Sequence, residues 1–462
     1  MTPGNDAVID ALLAREGEIV ERLNALLRIP TVGADPACAG AMQQARALLV
    51  SRLESFGLEN VQLLDGGGEP AVYGEWLHAP GQPTYMIYGH YDVQPADPID
   101  AWTSPPFEPT VRDGCLFARG ASDVKGSTTI AIETVGQFLA TEGACPVNIK
   151  IFLEGEEETG SPSLRAIVAK YRDLLRSDGV LSADGGRASR TVATVNTGAR
   201  GNAKLEFSLC TASTDLHSGR YGGAVRNALH EMARLVATLH DDAGNVAVRD
   251  FDIDALPLTG RQREDTAAFP FDENAFFEDV GASPAGETGY TTRERITLRP
   301  ALDVNGMWGG YTGSGSKTVI PAKAHAKLSV RVVAGQDPDR VIGAVRQHLE
   351  HHCPSGVTLT IDHIGGASPA STLAADSPMV AAAERVLLTQ MGQRAIHVRL
   401  GASVPITAIF QEMLGIGTLM FGYNLPDEPV HAPDEFFRME SIGLGLKGWT
   451  LLLRELRGTA PR

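Results

Sequence analysis

Residues 147–161 read VNIKIFLEGEEETGS. The first half is the apolar, β-branched run of a buried strand. The second half places Glu154, Glu156, Glu157 and Glu158 within five positions. Like charges crowded at the end of a buried strand repel one another and oppose folding. The run therefore needs a compensating positive charge, and the neighbouring segments indicate its kind.

Strand-like runs at 83–89 (PTYMIYG) and 178–184 (DGVLSAD) accompany 147–153, and helical spacing falls at 7–28, 40–56, 125–141 and 162–176. Strands alternating with helices predict β-α-β units, hence an α/β domain whose mostly parallel sheet is flanked by helices. Past residue 200 the texture changes. GNAKLEFSLCTAS alternates like a half-exposed strand, a helix is predicted near 224–240, and a stretch to about 300 has weak periodicity. KAHAKLSVRVV, PDRVIGAVRQHLEHH and GVTLTIDHI then read as strand, helix and strand. At SPMVAAAERVLL the first rhythm returns. Residues 200–376 are thus expected to form an inserted α+β domain, within an α/β domain assembled from 1–199 and 377–462.

A chain of 462 residues is long for one core. Its 43% hydrophobic and 21% charged residues describe a soluble globular protein. With 40 basic against 56 acidic residues the net charge is −16, which disfavours nucleic acid or an anionic membrane as partner. The five cysteines (Cys38, Cys115, Cys145, Cys210 and Cys353) are scattered and form no C-x-x-C pair, as expected of reduced thiols in the cytoplasm. No signal peptide or membrane-length apolar stretch is apparent.

In open α/β sheets, ligands sit beyond the carboxyl ends of the strands. Each predicted strand here ends on a metal-type ligand. MIYGHYDVQ supplies His90 and Asp92, the glutamate run follows 147–153, and SADGG supplies Asp184. GTLMFGY leads into the loop carrying His431, and Asp123 lies in RGASDVKG just before a helix. Two histidines among carboxylates suit zinc, manganese or cobalt better than calcium or magnesium. The compensating charge is therefore expected to be a pair of divalent cations. His90 and Asp92, two apart on an extended segment, face the same way, so Asp92 can hold the far N–H of His90. A nearby carboxylate not bound to metal would act as general base.

In order, GHYDVQ, RGASDVKG, EGEEETGS, SADGG and HAPDE resemble the signature of the M20 metallopeptidases. RPALDVNGMWGGYTGSGSKTVIPAKAHAKLSVRVV (299–333) resembles the dipeptidase branch, which includes carnosinase-like and Cys-Gly dipeptidases. The resemblance implies a dinuclear site bridged by Asp123, with His90 and Asp184 on one metal and Glu158 and His431 on the other. It implies Glu157 as general base and leaves Glu156 variable, although the triple glutamate also admits a register one residue away. It further implies a lid domain that dimerises, and His217 in DLHSG as the residue reaching the neighbouring subunit's oxyanion. Arg331 would grip the substrate's terminal carboxylate, with Thr318 and Ser403 as further contacts. The expected substrate is a dipeptide or short peptide.

One departure stands out: carnosinase-like members carry glutamate three residues before the serine, and this chain has Leu400. Removal of an acyl group from N-acyl amino acids is therefore the alternative activity, and a metal-holding but non-catalytic binding protein is the rival from another class. GYTGSGSKT (310–318) mimics a phosphate-binding loop but has Ser316 before Lys317 and Pro321 where the helix should run. HEMAR (230–234) begins like a zinc-protease helix but ends on Arg234 instead of histidine. No G-x-S-x-G elbow supports a serine hydrolase.

Overall fold

A computed structural model describes residues 6–459. Its large sheet has nine strands. They run in the order Glu59–Leu64, Ala71–Trp76, Asn148–Glu154, Thr84–His90, Gly179–Ser182, Thr418–Met420, Thr194–Ala199 and Ser371–Thr372, with Ile396–Leu400 also paired to Thr194–Ala199. The four central strands, Asn148–Glu154 to Thr418–Met420, are mutually parallel. Antiparallel pairs flank them on both sides, so the sheet is mixed.

Central strands are buried on both faces, which explains their nearly continuous apolar sequences. Period-two alternation sends Ile87, Ile149 and Ile151 into one core, and Met86, Tyr88 and Phe152 into the other. The first core is closed by the helices Ala7–Ala14, Glu16–Leu27, Ala39–Ser55, Gly126–Glu142, Pro378–Met391 and Met439–Glu455. Leu164–Lys170 and Pro405–Leu414 close the second. The helix expected over 7–28 is broken at Arg15, beside Gly17, the weakest helix former in that run.

The chain leaves this sheet after Ala199 and rejoins it at Ser371. Between them lies a four-stranded antiparallel sheet, ordered Ala301–Gly309, Lys323–Val332, Gly201–Cys210 and Thr358–Ser368. One face packs against the helices Ala228–Ala237 and Pro338–His352 around a separate core. The weakly periodic stretch before residue 300 contains three short helices, Gly260–Ala268, Glu273–Asp279 and Thr292–Leu298. The first and third start with capping boxes, Thr259 with Gln262 and Thr291 with Glu294. Gly260–Ala268 returns to the large sheet: Asp265 accepts a hydrogen bond from the His397 amide at 3.1 Å, and Arg261 pairs with Glu384 at 2.7 Å. Among the described residues no helix is long and apolar enough to cross a membrane. All five cysteines are unpaired.

Candidate metal centre

The parallel strands deliver their carboxyl ends to one place. His90 ends Thr84–His90, Asp184 lies two residues beyond Gly179–Ser182, and the glutamates follow Asn148–Glu154. His431 arrives from the loop after Thr418–Met420, and Asp123 from the loop before Gly126–Glu142. Two ligand trios result, His90 with Asp123 and Asp184, and Asp123 with Glu158 and His431. Within each, the donor atoms lie within 4.8 Å of one another. Asp123 belongs to both: its Oδ1 is 3.2 Å from His90 Nε2, and its Oδ2 is 2.9 Å from His431 Nε2. His431 Nε2 also lies 3.1 Å from Glu158 Oε2. Two imidazoles and three carboxylates are a donor set that fits a pair of divalent transition-metal cations.

The glutamate run separates by partner. Glu154 accepts a hydrogen bond from the buried Tyr88 hydroxyl at 2.8 Å. The Glu156 carboxylate turns away from the cluster to the amides of Glu69 (2.9 Å) and Ser163 (3.0 Å). Glu158 accepts from Gln94 Nε2 at 3.0 Å. Glu157 belongs to neither trio. Its backbone, with that of Glu158, is held by Asp92, whose carboxylate accepts both amides at 3.3 and 3.0 Å. Asp92 also lies against His90 Nδ1, which is 3.1 Å from the Asp92 carbonyl oxygen and 3.4 Å from its Oδ1. That leaves Nε2 directed at Asp123. Gly155 makes the close turn possible, because a Cβ there would collide with the Tyr91 ring.

Electrostatics follow from burial and crowding. Burial pushes the Asp184 carboxyl up to about 7, and the nearby charge of Asp123 adds to it. Burial also raises Glu157; His90 opposes this, while Asp123 and Glu158 reinforce it. Hydrogen bonds to Asp123 and Glu158 lift His431 to about 10. Asp123 itself is pushed up by burial, but the bonds from His431 and His90 outweigh that and hold it well below the carboxylate range. A cluster with so much negative charge is built to attract cations.

Two supporting residues carry no signal in isolation. Glu435, fully buried, accepts hydrogen bonds from the amides of Gly120 (2.9 Å), Ser122 (2.9 Å) and Asp123 (3.1 Å), and pairs with Arg119 at 2.6 Å. It fixes the loop that presents Asp123. Its place in HAPDE, four residues after His431, is the one sequence clue. Lys125, equally buried, donates to the carbonyls of Leu26 (3.2 Å) and Ile29 (3.1 Å), tying the other end of that loop to the first helical layer.

The remaining predicted residues fall in two places. Arg331 Nη1 donates to Ser403 Oγ at 3.0 Å, across the junction between the two sheets. His217 pairs with Val319 on a short ladder, beside which the Ser218 amide donates to the Thr318 carbonyl at 3.1 Å. The His217 side chain is exposed and its Nδ1 accepts from the Gly219 amide at 3.0 Å, leaving Nε2 free to carry the outward N–H.

Comparison with known proteins places this geometry. The chain is 30% identical over 399 residues to the human Beta-Ala-His dipeptidase, covering 84% of this chain and 78% of that protein. It is 26% identical to the Cys-Gly metallodipeptidase DUG1 of Saccharomyces cerevisiae, over 93% of each. Among solved structures, that of the M20 family metallo-carboxypeptidase Sso-CP2 from Sulfolobus solfataricus superposes with a TM-score of 0.78 at 27% identity, covering 95% of this chain and 99% of that one. Human carnosine dipeptidase 1 gives 0.73 at 25% identity, over 98% of each chain. The model of Peptidase family M20/M25/M40 matches residues 86–455, which include all five candidate ligands, and the chain belongs to that family.

Proposed function

We propose that the protein hydrolyses the peptide bond of dipeptides or short peptides at a dinuclear metal site. The observation that carries this reading is the pair of ligand trios sharing Asp123. His90 and Asp184 would hold one ion, Glu158 and His431 the other, with Asp123 common to both. When bound, two divalent cations, zinc first with manganese or cobalt as alternatives, polarise the scissile carbonyl and lower the pKa of the water that attacks it. Glu157 is the general base. It lies beside the ligands without belonging to either trio, and burial keeps its carboxyl basic enough to take a proton from water and return it to the leaving amine. Asp92 orients His90 and the backbone of Glu157 and Glu158. Arg331, steadied by Ser403, receives the terminal carboxylate with its planar fork, and Thr318 adds a further contact.

His217 of the partner subunit supports the oxyanion in this reading, and the inserted sheet domain supplies the dimer interface. A mixing experiment tests it. His217→Ala and Glu157→Ala are each inactive alone, and an equal mixture of the two regains about a quarter of wild-type turnover. Half the dimers are mixed, and each has one complete site. No recovery after subunit exchange is verified would place His217 in its own subunit's site, and an active His217→Ala would place it outside the site.

Glu435→Gln addresses the loop behind Asp123. Both Glu435 oxygens already accept N–H donors, so the new amide faces a donor and Arg119 loses its ion pair. Zinc affinity, read by competition with a chelating dye, falls roughly 10–100-fold. Unchanged affinity would mean the loop holds its shape without this carboxylate.

The activity is tested by reloading metal-stripped enzyme with Zn²⁺, Mn²⁺ or Co²⁺ and offering dipeptides beside N-acyl amino acids. Cleavage of dipeptides supports the reading. Cleavage of N-acyl amino acids alone would replace it with the deacylase activity that Leu400 leaves open, on the same site.

A further inference from the structure

Beside the metal centre, a cavity of about 280 Å³ lies between the large sheet and the helices before residue 300. Gly185 and Gly186, which follow Asp184 in the chain, form part of its wall. Three arginines line it, Arg187 and Arg399 from the large-sheet unit and Arg293 from Thr292–Leu298. In a protein of net charge −16, arginines normally find acids. Among the described residues none of these three guanidinium groups has a carboxylate at ion-pair distance. Arg187 is only 7% exposed; it lies 5.2 Å from the centre of the Tyr423 ring, and its Nε is buried with no hydrogen-bond partner. Arg293 stacks on Phe269 at 3.7 Å. Burial alone pulls the Arg293 and Arg399 guanidinium groups below their ordinary range, with no acid to offset it. The one carboxylate in the wall, Glu428, is engaged elsewhere, accepting from Ser122 Oγ at 2.6 Å and lying 3.5 Å from Arg438.

Guanidinium groups held away from acids in a confined cavity are a receptor for an anion, and arginine forks suit a carboxylate. Leu400 and Met420 complete the wall with apolar surface. That combination fits a short methylene stem ending in a carboxylate. Arg331, assigned above to the terminal carboxylate, is not among the lining residues, so this anion is a second one. We propose that this cavity is a specificity subsite for an acidic side chain, making aspartyl or glutamyl dipeptides the preferred substrates.

The inference rests on the peptidase reading, and the test separates the two. Metal-loaded enzyme is assayed on dipeptides containing Asp or Glu at either position, each beside its Asn or Gln isostere. The expected kcat/KM ratio favours the acidic member by about tenfold or more at one position, chiefly through KM. Arg187→Gln and Arg293→Gln each bring that ratio down toward one. A wild-type ratio near one at both positions overturns the proposal, as does a ratio unmoved in both variants. Independently of turnover, glutarate raises the melting temperature of the wild-type chain more than glutaramide does, and Arg293→Gln loses the difference; equal effects of the two compounds on the wild type count against the subsite. If no dipeptide is cleaved while glutarate still shows this difference, the peptidase reading fails and the anion site stands.

Discussion

Asp123→Asn removes the ligand proposed to be common to both metal ions, and the expected result is a folded, inactive protein whose melting temperature no longer rises with zinc. The neutral amide cannot serve two cations as a bridging carboxylate does, and it stands between His90 and His431, 3.2 and 2.9 Å away. Loss of affinity should exceed the roughly 10–100-fold that follows from losing an outer partner of a ligand. A second sign distinguishes this from simple misfolding. The Asp123 charge reinforces the burial that raises Asp184 to about 7, but the hydrogen bonds from His431 and His90 hold Asp123 itself well below the carboxylate range. Asp123→Asn therefore relieves Asp184 but gives up the two histidine pairings, so the metal-free variant is expected to melt cooperatively, somewhat below metal-free wild type. A variant that still gained stability from zinc as the wild type does would show that the two trios do not depend on Asp123.

Glu157→Gln is the second large effect, and it acts on rate instead of occupancy. The carboxylate belongs to neither trio, so metal content is expected to remain at the wild-type level. Turnover falls about 10²–10⁴-fold, the usual contribution of a positioned general base, with little change in KM. Gln preserves the shape, and the Asp92 carboxylate still holds the backbone amide at 3.3 Å. Steady-state kinetics with parallel metal analysis decide the matter. Turnover within tenfold of wild type would move the base to another residue. Loss of metal together with rate would make Glu157 a ligand.

Much of this was legible because strand ends are legible. Apolar runs that stop at His90, at the glutamates and at Asp184 announce a ligand edge, and the parallel central strands put those stops side by side. The resemblance singles out Glu157 and Glu158 but admits a register one residue away; the fold turns Glu156 toward the amides of Glu69 and Ser163. Glu435 is harder still, since its work is done on backbone amides more than three hundred residues earlier in the chain. The helices at Gly260–Ala268 and Thr292–Leu298 were hidden by weak periodicity, being short and largely polar in their exposed parts. Their capping boxes at Thr259 and Thr291 were the available signal. The arginines at 187, 293 and 399 look ordinary in sequence, because the lack of an acidic partner is a property of the folded chain.

The most direct test of the dinuclear account is a titration of metal-stripped protein with Zn²⁺, following bound metal by mass spectrometry and dipeptide hydrolysis in the same samples. The account predicts saturation at two ions per chain, matching the two ligand trios, with hydrolysis absent before metal is added and abolished again by chelation. Saturation at a single ion, or hydrolysis indifferent to chelation, would contradict it.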